Sequence, residues 1–425
     1  MSDDIMHHVV VVGAGLAGLL AATRLARESV PVTCVYYGIG GLPASPGVGD
    51  VYGYNDEIVA SPIDAVGRAP KGHPYGPIGK AATRRGLELL LELVGPRLLI
   101  GDAQSNICLP TAMGAWRPTC LYQPSMAAGV RPIGQSDQPS AAPWVIVGFN
   151  TLKDFSPALV AGNLAAQPGP DGRPMTVRSA MVNITVRPGE VDTSPMIFAR
   201  FFDTAQGRRQ LVASLRPVVR QEETIGLPAV LGLADPTAYQ AISDMLHQPV
   251  FEIPLPPPSV PGWRINNALF AAAERAGVRF WRGARVIRLE HTGEKVEGVI
   301  IQSAGHTASE PVDAVVLATG GLATGGLVID GQNRVVEPLC NLPLAGVPSE
   351  LFNDDPLSAQ PAWLAGVRVD RLMRPLDDAG NVVSPNLYAV GGLLAGSVRW
   401  DEKTTTGVSA GSAVAAAEAI IKELA

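Results

Sequence analysis

Cysteine is scarce: a chain of 425 residues has four, Cys34, Cys108, Cys120 and Cys340. They lie far apart and none forms Cys-x-x-Cys, which argues against an iron–sulfur or zinc site carried by this chain. Buried, reduced thiols in a cytosolic protein are the expectation. Positive charge is in deficit, 33 Lys and Arg against 39 Asp and Glu, a net charge of −6. With no Lys/Arg run, that balance is a poor match for nucleic acid and argues against a large basic membrane-binding face. Apolar stretches are interrupted by charge or Gly well before the ~18 residues a spanning helix needs. Ser2-Asp3-Asp4 lacks the basic start of a secretory signal. Charge of either sign is low, 17%, beside 47% hydrophobic residues, so the chain reads as a well-buried globular protein of two or three domains rather than a disordered one.

One absence is local. After Val9 to Val12, four consecutive valines that read as a buried strand, come Gly13, Gly15 and Gly18 in Gly-x-Gly-x-x-Gly spacing, and a helix over Leu19 to Arg27. In that unit the first glycine allows the tight turn. The second lets backbone approach a phosphate, and the third lets helix and strand pack. The helix N-terminus favours the negative charge. A second strand is expected over Val30 to Tyr37, and an Asp or Glu normally ends it to hold an adenosine ribose. Tyr36, Tyr37 and Gly38 stand there instead. The missing acid weakens NAD and FAD and leaves room for FMN; the alternative is that another loop holds the ribose.

Gly38 to Tyr54 is too rich in Gly and Pro for regular structure. A helix is expected over Ala81 to Val94, preceded by a loop in which His73 reads as a capping or surface residue. Leu109 to Gln123 reads as irregular and Gly134 to Pro143 as a polar turn. Strands are expected at Trp144 to Phe149, Thr176 to Ile184 and Arg216 to Glu222, with helices at Phe155 to Ala166, Ser194 to Phe202 and Arg208 to Leu215. Ile253 to Gly262 reads as a stiff Pro-rich connector returning the chain to the nucleotide domain. A helix over Arg264 to Ala276 follows, then strands at Val278 to Trp281, Arg285 to Leu289 and Val296 to Gln302. The strand Val312 to Ala318 ends in Thr319, Gly320 and Gly321, and His306 before it reads as a solvated hairpin tip. The strand in Asn386 to Gly396 carries Gly391 and Gly392. Thr404, Thr405 and Thr406 precede Gly407, the expected opening of a last helix, Val408 to Leu424. Such a helix end suits negative charge developing on a flavin, or is simple N-capping by Thr.

Three separated segments, VVVVGAGLAG, AVVLATGG and NLYAVGG…TTTGVSAGSAVAAA, together resemble the two-lobed flavoproteins of the glutathione-reductase and fumarate-reductase type. LPTAMGAWRPTCL, WVIVGFNTLKDFSPALVAGNL and IPLPPPSVPG are similar to the B subunit of anaerobic glycerol-3-phosphate dehydrogenase, and the likeness runs from about Val9 to about Ala419. The resemblance implies an α/β fold, two-lobed, with a Rossmann-like ββα flavin-binding domain and an inserted α+β cap. The segments would be 1–70 and 263–425 for the flavin and 71–262 for the cap. It implies FMN, with FAD as the alternative. Gly13, Ala14, Gly15, Leu16, Ala17 and Gly18 would hold the phosphate. Thr319, Gly320, Gly321, Gly391, Gly392, Thr405, Thr406 and Gly407 would line the rest of the cofactor.

The same resemblance implies a catalytic A subunit with its own flavin and a membrane-associated iron–sulfur C subunit, which would place this chain peripherally on the cytoplasmic face of the membrane. Electrons would pass from sn-glycerol 3-phosphate toward quinone, giving dihydroxyacetone phosphate. Two stretches depart from the family pattern, Leu42 to Tyr54 and Arg399 to Gly407. Within the second, Arg399 and Lys403 could meet a substrate phosphate or the flavin, or be surface charges on a loop. No His, Tyr or carboxylate stands out as a base. A stand-alone flavin oxidoreductase and a cofactor-free assembly scaffold are the rival readings.

Overall fold

The computed structural model describes residues 7–134, 142–356 and 358–425. The chain folds into two compact units, and each is interrupted in sequence. The first comprises residues up to Gly41, Ile63–Leu93 and Ala268–Ala425; the second, Leu42–Pro62 and Val94–Asn267. Expected crossings after residues 70 and 262 therefore differ from the observed ones. The stretch 42–62 belongs with the second unit, and the helix over Tyr75–Val94 belongs almost wholly with the first.

The first unit is built on a parallel five-stranded sheet in the order Arg279–Arg282, Val32–Tyr36, Val9–Val12, Ala314–Leu317, Leu387–Ala389. The valines lie at its centre, Val9 opposite Val32 on one side and Ala314 on the other, and are buried on both faces as a parallel strand requires. Helix Leu16–Arg27 starts three residues earlier than expected and packs along the last helix, Thr405–Leu424. Small residues permit that layer. A side chain at Gly86, on the Tyr75–Val94 helix, would run into the Ala410 carbonyl oxygen at 2.3 Å. An antiparallel meander of Ala284–Thr292, Lys295–Ser303 and His306–Pro311 precedes the Ala314–Leu317 strand. His306 is thus exposed at the start of a strand that the sequence reading did not expect.

The second unit has its own parallel sheet, ordered Val177–Val182, Trp144–Phe149, Thr224–Pro228, Val250–Ile253. Its core joins Trp144, Phe149, Phe198, Phe202 and Phe251, all fully buried. Three expectations fail here. Arg216–Glu222 is the turn after helix Ala205–Leu215, and the strand begins at Thr224. Leu109 to Gln123 is not irregular: Ile107–Pro110 and Trp116–Thr119 pair antiparallel around a turn at Gly114. The Pro-rich connector ends early, because a helix starts at Val260 and runs to Arg275. Part of the polar turn expected over 134–143 lies outside the described residues.

A buried ion pair braces this second unit. Arg264 donates to both oxygens of Glu252, at 2.6 and 3.0 Å, and to the Gly232 carbonyl at 2.7 Å. Glu252 also accepts the Leu231 N–H, and Gln123 bridges Arg264 to the carbonyls of Gly47 and Pro261. With these bonds around it, the pair meets the condition under which two buried charges are tolerated.

Candidate functional site

At the C-terminal ends of the central strands the first unit gathers its glycines, the position where open α/β sheets bind ligands. Gly13 turns the chain out of the Val9–Val12 strand with φ +111°. A Cβ there would lie 2.4 Å from the Ala318 carbonyl oxygen, and one at Gly18 would lie 1.9 Å from the Gly13 carbonyl oxygen. Both positions are closed to any side chain. Gly15 caps helix Leu16–Arg27 with no side-chain bond, and nothing lies within 4 Å of its missing Cβ. The first N–H groups of that helix, at Leu16, Ala17 and Gly18, have no intrahelical acceptor. Gly40 closes over the same turn, its missing Cβ 2.8 Å from the Gly15 Cα.

The later segments reach the same place. A Cβ at Gly391 would sit 2.8 Å from the Ala17 Cβ, and one at Gly392 would sit 3.1 Å from the Gly320 Cα. The Gly391 N–H donates to Ser412 Oγ at 2.9 Å, which ties this turn to the last helix. Residues 13–18, 319–321 and 391–392 therefore form one seam of closely approaching backbone, though their segments are far apart in sequence. Thr319 adds a buried hydroxyl oxygen with no hydrogen-bond partner. A buried polar atom without a partner calls for an unseen one.

Thr405, Thr406 and Gly407 are placed differently from expectation. The last helix begins at Thr405, so all three lie within its first turn rather than before it. Thr404 is the N-cap, but its hydroxyl makes no capping bond. It is shared instead with Ser397 Oγ at 2.9 Å and Glu402 Oε2 at 3.4 Å. Simple N-capping is thus not the use this threonine is put to.

The RWDEK stretch is a single helical turn, Arg399–Glu402. The Arg399 guanidinium reaches back to the seam, with Nη2 3.0 Å from the missing Cβ of Gly321. Among the described residues it forms no hydrogen bond or ion pair, and burial pushes its pKa down to about 10. Lys403 lies apart, in the left-handed region at φ +55°, with Nζ on the Trp400 carbonyl oxygen. The structure thus brings Arg399 to the seam as a half-buried cation rather than a fully exposed surface charge.

His73 also differs from its expectation. Its side chain is fully buried and stacks on Tyr75 at 4.9 Å. The Tyr75 N–H donates to Nδ1 at 3.1 Å, which leaves the ring proton on Nε2 to donate to Glu402 Oε2 at 3.3 Å. Burial works to raise the Glu402 pKa, but hydrogen bonds from His73, Ser397 and Thr404 outweigh it and hold the carboxyl below its ordinary value. No local signal could have paired His73 with Glu402, which stand 329 residues apart.

Where the second strand ends, Tyr36 packs between Phe270 and Phe280, and Tyr37 is exposed with the Arg285 guanidinium 3.9 Å over its ring. All four cysteines are free, and burial pushes the Cys34 thiol up to about 12.

These features fit a flat cofactor with a phosphate. Backbone is open to close approach, free N–H groups face the phosphate turn, and one hydroxyl and one cation lack partners. The family model described as FAD binding domain matches residues 8–406. A probable B subunit of anaerobic glycerol-3-phosphate dehydrogenase from Halobacterium salinarum is 33% identical, across 98% of this chain and 99% of that protein. The anaerobic glycerol-3-phosphate dehydrogenase B subunit of Pectobacterium atrosepticum is 31% identical over the same shares, and that of Yersinia pestis 27% over 98% of each. The chain is therefore a flavin oxidoreductase of the FAD binding domain family and belongs with the B subunits of anaerobic glycerol-3-phosphate dehydrogenase.

Proposed function

We propose that this chain is the flavin-binding subunit of a respiratory glycerol-3-phosphate dehydrogenase, in which sn-glycerol 3-phosphate is oxidised to dihydroxyacetone phosphate and electrons pass toward quinone. The observation that carries the reading is the glycine seam with its unpartnered Thr319 hydroxyl and with Arg399 beside it, held by no hydrogen bond or ion pair among the described residues. Gly13 to Gly18 would hold the phosphate, and Thr319 to Gly321, Gly391 and Gly392 would line the ring system. Thr405, Thr406 and Gly407, in the first turn of the last helix, would face the side where charge builds. The first unit would be the flavin domain and the second the cap. FAD is the cofactor this reading adopts, because the matching family model is one of FAD-binding domains. The FMN expectation rests on the missing acid and on the resemblance, and that family model gives it no specific support.

When bound, the flavin supplies the two-electron chemistry. The chain's own part is to bind, orient and balance charge. Arg399 would meet an anionic group of the cofactor or substrate, and Lys403 would serve a substrate phosphate on the same turn. His73 is no free base, since one ring nitrogen accepts a backbone N–H and the other donates to Glu402. Substrate deprotonation would then fall to another group, which favours electron relay in this subunit. A catalytic A subunit and a membrane-associated iron–sulfur C subunit would complete the complex. Among the described residues no helix is long and apolar enough to cross a membrane, so attachment would run through a partner.

The test is the absorbance spectrum of the purified chain, followed by release and chromatography of any pigment. A flavin spectrum with FAD released is expected, with slow bleaching by sn-glycerol 3-phosphate unless the A subunit is added. FMN would restore the missing-acid argument. A colourless chain that takes up no flavin would overturn the reading in favour of a scaffold.

A further inference from the structure

In a one-turn helix, residues three apart lie on the same side, and Arg and Glu so placed ordinarily pair. Arg399 and Glu402 have that spacing and do not form an ion pair. Glu402 Oε2 is occupied by other donors instead: His73 Nε2 at 3.3 Å and Ser397 Oγ, with Thr404 Oγ1 at 3.4 Å sharing its one proton between Glu402 and Ser397. His73 is fixed in turn by the Tyr75 N–H, and Ser397 by Thr404. The outcome is a carboxylate satisfied without its neighbouring cation, and a cation left facing Gly321.

We propose that Glu402 is a positioning residue: its bonds from His73, Ser397 and Thr404 keep it off Arg399, so that Arg399 binds an anionic group of whatever occupies the glycine seam. The inference rests on the flavin reading for its first candidate group, the edge of the flavin ring that becomes negative on reduction. A free or esterified phosphate offers the same chemistry. In either case the link from His73 to Glu402 controls the charge that the ligand meets. Loss of His73 would release Glu402 to swing onto Arg399 and cancel it.

The experiment uses the full chain as purified and four variants: Arg399→Gln, His73→Leu, Glu402→Gln, and His73→Leu with Glu402→Gln. Sulfite, whose adduct with oxidised flavin places negative charge on the ring, is titrated by loss of flavin absorbance. In parallel, inorganic phosphate is titrated by thermal shift. His73→Leu should weaken anion binding about tenfold, a typical coupling between linked sites. Adding Glu402→Gln should restore it, which no merely structural defect at His73 would allow. Arg399→Gln should lose the binding of both probes. A change confined to sulfite assigns the flavin edge, and a change confined to phosphate assigns a phosphate ligand. If the chain is colourless the flavin reading fails, and the phosphate titration still decides this one. The proposal is overturned if Arg399→Gln binds both probes like the parent, or if the double variant stays as weak as His73→Leu.

Discussion

Arg399 carries a charge held by no hydrogen bond or ion pair among the described residues, and Glu402 attracts it only through space. A half-buried cation without a hydrogen-bonding partner costs stability, and similar-sized apolar residues at such sites often stabilise a fold. Its pKa is pushed down to about 10, below the ordinary guanidinium range, so folding works against the charge it still carries at neutral pH. Arg399→Met keeps most of the side-chain volume and removes the charge. The flavin-free variant should be more stable than the parent by about 1–2 kcal/mol, read as a higher urea midpoint. The same variant should gain less stability on adding flavin. If Arg399→Met lowers the midpoint of the flavin-free chain, the guanidinium is serving the fold, and its assignment to a ligand fails.

Between elements, the most consequential side chain is Asn386, at the entrance to the Leu387–Ala389 strand. It is buried; its amide donates to the Val296 and Asp313 carbonyls, both at 2.7 Å, and its oxygen accepts the Val296 N–H at 3.0 Å. It thereby fastens the antiparallel meander to the sheet that carries the glycine seam. Asn386→Ala strands those backbone groups without partners and should cost about 2–3 kcal/mol in urea unfolding. A loss under about 0.5 kcal/mol would mean that water replaces the amide. Elements of this sheet were legible because uninterrupted β-branched runs such as Val9 to Val12 have few other uses. The antiparallel pair Ile107–Pro110 and Trp116–Thr119 was not, since Pro110, Gly114 and Pro118 imitate a loop while sitting at a strand end, in the turn and within the second strand. Thr224–Pro228 was misplaced because charged residues at 220, 222 and 223 masked where the apolar run begins.

Across the whole molecule, the chain passes between its two units four times, after residues 41, 62, 93 and 267. Composition does not mark such crossings, which is why the sequence boundaries fell elsewhere. The seam was legible, because its residues are glycines that only close backbone approach demands. The His73–Glu402 link was invisible, because it exists only once the chain has folded. That link, and the Arg178–Glu223 pair at 2.5 and 2.6 Å, set how the fold answers to acid. Both carboxyls have pKa values below the ordinary 4.5, held down by hydrogen bonds that outweigh burial. A carboxyl with a lowered folded pKa contributes stability that is fully present above its unfolded value and disappears as pH falls through the folded one. Stability should therefore be flat in these two groups from neutral pH down to about 5 and decline below about 4.5. Glu402→Gln cannot be protonated, so it should start less stable at pH 7 and lose less between pH 5 and pH 3. Thermal unfolding of parent and variant across that range measures it. Two curves that stay parallel to pH 3 would show that Glu402 has the same pKa folded and unfolded, and that His73, Ser397 and Thr404 do not hold its charge.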